Sequence, residues 1–213
     1  MPPPHEIPPW ERFREAGPLS AFIGTLWSVL RSPALFFSRL RADGPVRPAL
    51  LFWIVTTLPP FVVSGIEGYS FMQETIDILM TAPRPGVFEI PWWIFVVVAP
   101  LVQFASLLSG LAMVHLVLTL LGYARGGWRG TWRAGGYASA PAVFGYLPLV
   151  GVLVAGIWTA VLQYMALKRV HAAPTWAVLL AYLIPVAGIM AIGIGLVLIV
   201  IAVVAPAFLG LPG

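Results

Sequence analysis

The chain has 213 residues, 60% of them hydrophobic and 9% charged, with a mean hydropathy of +0.93. Soluble domains carry about 25% charged residues, so this balance excludes an ordinary water-soluble protein and points to an integral membrane protein. The net charge of +4 comes with no basic run interleaved with aromatics, which argues against a nucleic-acid partner, and the absence of cysteine excludes disulfides and thiolate metal sites.

Residues 1–9 are proline-rich and residues 10–17 carry mixed charges, so 1–17 is predicted to be a disordered N-terminus. No apolar core follows the first residues, as a cleavable signal peptide would require. Residues 18–45 read as an interfacial arm of two short amphipathic helices. In the first, Phe22, Ile23, Leu26, Trp27 and Leu30 fall on one stripe. Ser32-Pro33 then caps and starts a second helix, with Leu35, Phe36, Phe37 and Leu40 on its apolar side and Arg39 and Arg41 at its end. Two placements stay open: on an anionic membrane surface, or against the protein's own helix ends.

Residues 46–213 read as an all-α, polytopic membrane domain with five transmembrane helices. The spans are predicted at about 48–68, 93–121, 131–147, 148–168 and 175–208. Pro59-Pro60 should kink the first, and Trp92-Trp93 mark an interface before the second. The third and fourth form a tight apolar hairpin over residues 137–171. Its turn is Gly145-Tyr146-Leu147-Pro148, with Pro148 suited to the first turn of a new helix. The fifth run would extend roughly 50 Å if straight, longer than a hydrocarbon core of about 30 Å, so Pro185 is expected to kink or tilt it.

The charges orient these spans. Arg12, Arg14, Arg31, Arg39, Arg41 and Arg47 precede the first span. Arg125, Arg129 and Arg133 sit in a basic turn before the third, and Lys168 and Arg169 follow the fourth. With five crossings every basic group except Arg84 lies on one side. The positive-inside rule then places the N-terminus in the cytoplasm and the C-terminus outside.

Polar groups inside spans are costly in lipid and normally face other helices or a cavity. Gln103, Ser106 and Gly110 share one face of the second span. Gly151, Ala155, Thr159 and Gln163 recur every fourth residue of the fourth span, as do Ala187, Ala191 and Gly195 of the fifth, a spacing that suits close helix packing. His115 and Gln163 each lie about six residues before an inner end, so His115 is predicted to meet Gln163 or Tyr164 at the same depth. The histidines are too dispersed for a metal site, and no cofactor motif occurs. Ser139, in Tyr-Ala-Ser-Ala-Pro, lacks the glycines of a nucleophile elbow; its pairing with His115 would be the basis of an intramembrane hydrolase, a third-ranked reading.

The order Gly136-Tyr137-Ala138-Ser139-Ala140-Pro141, Leu147-Pro148-Leu149-Val150-Gly151, Ile157-Trp158 and Val170-His171 resembles the Yip1 family of membrane proteins. Thr25-Leu26-Trp27, Ser32-Pro33 and Phe36-Phe37, ahead of the first span, are similar to its bacterial branch. The resemblance implies five helices with a cytoplasmic N-terminus, here in a bacterial inner membrane, and weight on Tyr137, Pro141, Pro148, Gly151, Trp158 and His171. Eukaryotic members bind prenylated Rab GTPases, pair with related proteins and act in vesicle traffic; the short, proline-rich arm departs from that pattern. The expected function is a non-enzymatic membrane scaffold or interaction protein. Its partners would be the bilayer and other membrane proteins or further copies of itself, with a small transporter or channel as the alternative.

Overall fold

The computed structural model describes residues 7–79, 92–147 and 150–209. Among them no strand occurs. A 3-10 turn, Pro9–Arg12, leads into α1 (Phe13–Ala16), α2 (Pro18–Arg31) and α3 (Pro33–Arg39). Then follow α4 (Val46–Leu79), α5 (Trp92–Leu120), α6 (Gly127–Ala138), a 3-10 segment (Ala140–Tyr146), α7 (Val150–Val170) and α8 (Thr175–Leu209). Three helices are long and apolar enough to cross a membrane among the described residues: Pro100–Leu120, Val150–Val170 and Thr175–Gly195. Helices α2 and α3 reach that length only as a pair, and they bend by 113° at Ser32, which is at odds with one straight crossing.

Several expectations change. Of the segment predicted to be disordered, residues 1–6 lie outside the described residues and 9–16 are helical, because Trp10 finds a home: its side chain is buried, its backbone N–H donates to Thr25 Oγ1 at 2.8 Å, and its indole N–H donates to the Pro48 carbonyl at 2.8 Å. The predicted stripe of α2 divides between two environments. Phe22, Leu26 and Leu30 pack inward, while Ile23 and Trp27 are exposed. Helix α4 continues to Leu79, past its predicted exit, and α8 runs unbroken through Pro185. A missing proline N–H removes one hydrogen bond, which a long apolar helix tolerates. Residues 131–147 are not one helix, since α6 ends at Ala138 and the chain tightens into the 3-10 segment at Ala140-Pro141.

Helix α4 packs against α5, α6 and the 3-10 segment; α7 lies on α6, α3 and the 3-10 segment; α5 and α8 form the other flank. Burial is uneven. Of the apolar windows in α5, α7 and α8, only about a fifth is buried (22%, 22% and 19%), as expected for surfaces that meet lipid. The sealed part lies where the Pro9–Arg12 turn, α2, α3, the start of α4, α6 and the α7–α8 turn converge. There the rings of Trp10, Phe22, Phe52, Tyr137 and Phe36 pack in succession with centroids 5.4–5.9 Å apart, a spacing at which edge and offset ring contacts are favourable. Close approach at α6 depends on glycine: a Cβ on Gly136 would stand 2.6 Å from the Ala49 carbonyl oxygen.

Candidate functional site

The convergence region holds two buried polar networks, both built on α6. Its first residues, Gly127-Trp128-Arg129-Gly130, read as part of a basic turn ahead of a span expected from Thr131. In fact the helix begins at Gly127, and its small residues let three neighbours close on it.

In the first network Arg133 is 1% exposed, although its charge marked it for a solvated turn. Its guanidinium meets the Glu11 carboxylate at 2.7 Å. Its Nε donates to the Arg41 carbonyl at 2.8 Å and its Nη1 to the Pro45 carbonyl at 2.6 Å. Tyr137, one helical turn on, donates its hydroxyl to the same Glu11 oxygen at 2.9 Å, and its ring lies 5.9 Å from the guanidinium carbon. A buried cation is tolerated only when paired and hydrogen-bonded, and here a carboxylate and two carbonyls supply that. The result is a clasp joining the N-terminal segment, the α3–α4 turn and α6. Arg133 and Tyr137 share a face by their i,i+4 spacing, a signal the sequence offered; nothing local pointed to Glu11.

The second network joins α5, α6 and the α7–α8 turn. His171 is fully buried, with Nδ1 accepting the Gly126 backbone N–H at 3.1 Å and Nε2 3.0 Å from Thr131 Oγ1. Thr131 Oγ1 is also 2.8 Å from His115 Nδ1. A backbone amide can only donate, so His171 Nδ1 carries no proton and Nε2–H donates to Thr131. The threonine hydroxyl hydrogen then serves His115 Nδ1, its nearer acceptor; the Gly127 carbonyl lies at 3.4 Å. Burial, and the neighbouring His115, push the His171 pKa down to about 4, in keeping with a neutral ring used at both nitrogens. The two imidazole centroids are 6.0 Å apart, and Trp128 stands edge-on to His115 at 5.2 Å.

The predicted meeting of His115 with Gln163 or Tyr164 does not form. His115 turns to Thr131, Gln163 accepts from the Tyr182 hydroxyl of α8 at 3.2 Å, and Tyr164 donates to Thr175 at 3.1 Å. Equal depth along two helices did not decide the pairing, because α6 starts early enough to insert Thr131 beside His115. Ser139 and His115 likewise belong to separate clusters. The Ser139 hydroxyl donates to the Gly136 carbonyl at 2.7 Å and lies 2.9 Å from Thr56 Oγ1.

The other predicted positions scatter. Gln103 is half-buried, Ser106 and Gly110 are exposed, and a Cβ on Gly110 would meet nothing within 4 Å. Pro141 is buried in the 3-10 segment, Gly151 is buried against the Phe144 carbonyl, and Pro148 lies outside the described residues. Trp158 borders an open apolar cavity of about 420 Å³ with Leu30 and Phe144. Among the described residues no three His, Cys, Asp or Glu side chains gather as a metal site.

These networks tie the N-terminal segment, the α3–α4 turn, α6 and the α7–α8 turn into one packed cap, and Tyr137 and His171, two of the residues on which the family resemblance rests, lie in its interior. No curated protein and no solved structure matches the chain. A family model, the Yip1 domain, matches residues 27–210. That span takes in everything from the middle of α2 to the end of α8, and the chain belongs to the Yip1 domain family of membrane proteins.

Proposed function

We propose that this Yip1-domain protein crosses a bacterial inner membrane five times, with its N-terminus in the cytoplasm, and works there as a non-enzymatic interaction scaffold. The cap described above is the cytoplasmic part, and its surface is what partners meet. The observation that carries the reading is the clasp around Arg133. It draws together Glu11, the Arg41–Pro45 turn and α6, while the Gly126–His171 bond adds the α7–α8 turn. The three basic connections of the chain are thereby gathered at one end, as the positive-inside rule requires of a single membrane face. From that end α4, α6 and α8 depart, and α5 and α7 return. A surface held by a buried ion pair and aromatic packing is rigid enough to present a constant shape to other membrane proteins.

Reporter fusions after Gly213 and within residues 80–91 test the topology, and both are expected to report the outer side. A cytoplasmic signal from the C-terminal fusion overturns five crossings. Affinity purification in mild detergent tests the scaffold role through co-purifying membrane proteins, and solute-specific flux in liposomes without such partners would replace it with transport.

A further inference from the structure

Outside the two networks, an open groove of about 790 Å³ lies between the N-terminal segment, α2 and α3. Its chemistry is divided. Arg12, Arg31 and Arg39 line it together with Ile7, Trp27 and Leu35, and among the described residues no carboxylate does. Arg12 and Arg31 are exposed, and Arg31 is held over the Trp27 ring at 5.8 Å, an arrangement that limits the rotamer freedom of the guanidinium. Leu19, Ile23 and Trp27, spaced four residues apart on α2, are 71%, 53% and 61% exposed and form an apolar strip leading to the groove. The opposite face of α2, Ala21, Thr25 and Val29, is buried in the protein, so this strip is left over after folding.

We infer that this groove is a binding site for an anionic phospholipid, the exposed Arg12 and Arg31 holding its phosphate and the α2 strip lying along its acyl region. A volume of about 790 Å³ falls in the range of small-molecule sites, about 300–1,000 Å³. Guanidinium forks match phosphate oxygens bidentately. A bare phosphate would satisfy the arginines but leave Ile7, Trp27 and Leu35 in water. A purely apolar ligand would leave the arginines unused. An anionic amphiphile satisfies both halves, and the adjoining strip places the groove at the boundary of headgroup and hydrocarbon, where amphipathic helices lie. The inference does not depend on the scaffold reading, since a transporter could carry the same site.

The test reconstitutes the full chain into equal amounts of phosphatidylglycerol and phosphatidylcholine, extracts it in mild detergent and counts retained lipids by native mass spectrometry. Preferential retention of phosphatidylglycerol is expected. Arg12→Gln and Arg31→Gln should each lower that preference about fivefold, the worth of one basic group at an anionic surface. Both side chains are exposed, so folding should persist, and the melting temperature in lipid-free detergent checks this. Arg125→Gln with Arg129→Gln removes two equally exposed charges elsewhere and should leave the preference unchanged. Equal retention of the two lipids overturns the site, and an equal loss in the Arg125/Arg129 control reduces it to general attraction of the basic face. Displacement of phosphatidylglycerol by millimolar inorganic phosphate would show that the groove takes the free ion.

Discussion

Replacing Glu11 by alanine isolates what the clasp contributes. Its carboxylate is the anionic partner of a guanidinium only 1% exposed, and it also accepts the Tyr137 hydroxyl. After substitution Arg133 keeps two backbone carbonyls but has lost its counter-charge. Removing one member of a buried pair costs about 3–5 kcal/mol, chiefly because the surviving charge stays desolvated. For a chain of this length that corresponds to a fall of roughly 10 °C in melting temperature. The molecule has one way to lessen the cost. Releasing Pro9–Ala16 lets water reach Arg133, but it also exposes Trp10 and breaks its bonds to Thr25 and Pro48. The variant should therefore melt early and be cut by protease within residues 9–17, which wild type resists. Tryptophan fluorescence during heating and timed proteolysis in mild detergent read the two effects. Glu11→Leu with Arg133→Met replaces the pair by apolar groups and should recover most of the loss. A Glu11→Ala protein that melts within about 1 kcal/mol of wild type and keeps a protected arm would refute the reasoning.

Three further outcomes follow from the packing. His171 has its pKa lowered from an ordinary 6.5 to about 4, so between those values the unfolded chain binds the extra proton. Stability from this group is complete above pH 6.5 and falls towards pH 4, by at most about 3 kcal/mol; His171→Gln should flatten that part of a melting-temperature profile, and an unchanged slope would count against it. Thr131→Val deprives both imidazoles of a partner and should cost about 1–3 kcal/mol, whereas Thr131→Ser should cost little; equal melting of the two variants would dismiss the relay. Alanine has opposite signs at two glycines. Gly136→Ala meets the Ala49 carbonyl at 2.6 Å and should destabilise by about 1–3 kcal/mol, while Gly110→Ala enters open space and should gain up to about 1 kcal/mol; melting curves showing the same sign for both would contradict the helix contacts.

The long helices were legible because lipid-facing surface needs only sustained apolarity, and α5, α7 and α8 carry it over twenty residues or more. The returning arm of the 137–171 stretch was legible from its apolar run and its charged stop, and it forms α7. What escaped was the early start of α6 and its end at Ala138. Gly126-Gly127-Trp128-Arg129-Gly130 resembles a turn, although Gly130, Gly135 and Gly136 are what let α4, α5 and α7 approach the helix. Arg133 was counted among solvated charges because sequence shows a side chain's charge and not its surroundings. The prolines before Trp10 suggested disorder, whereas a single tryptophan filling a gap between α2 and α4 orders the segment. The partner of His115 was misassigned for a related reason: matching depths describes helices as isolated rods, and the inserted helix decides which faces meet.

The clasp also constrains the order in which the molecule is made. Glu11 and Tyr137 are bonded across 126 residues, with α4, α5 and most of α6 between them. At about 5–20 residues per second, Glu11 waits roughly 6–25 seconds after synthesis before its partners on α6 exist. During that interval Trp10 can already seat on α2 and the start of α4, but Glu11 lacks both of its partners, and any factor that recognises the free carboxylate has its opportunity then and not afterwards. Closure of the cap is thus a late event, one that reports on the first long helices having already been laid down in the right arrangement.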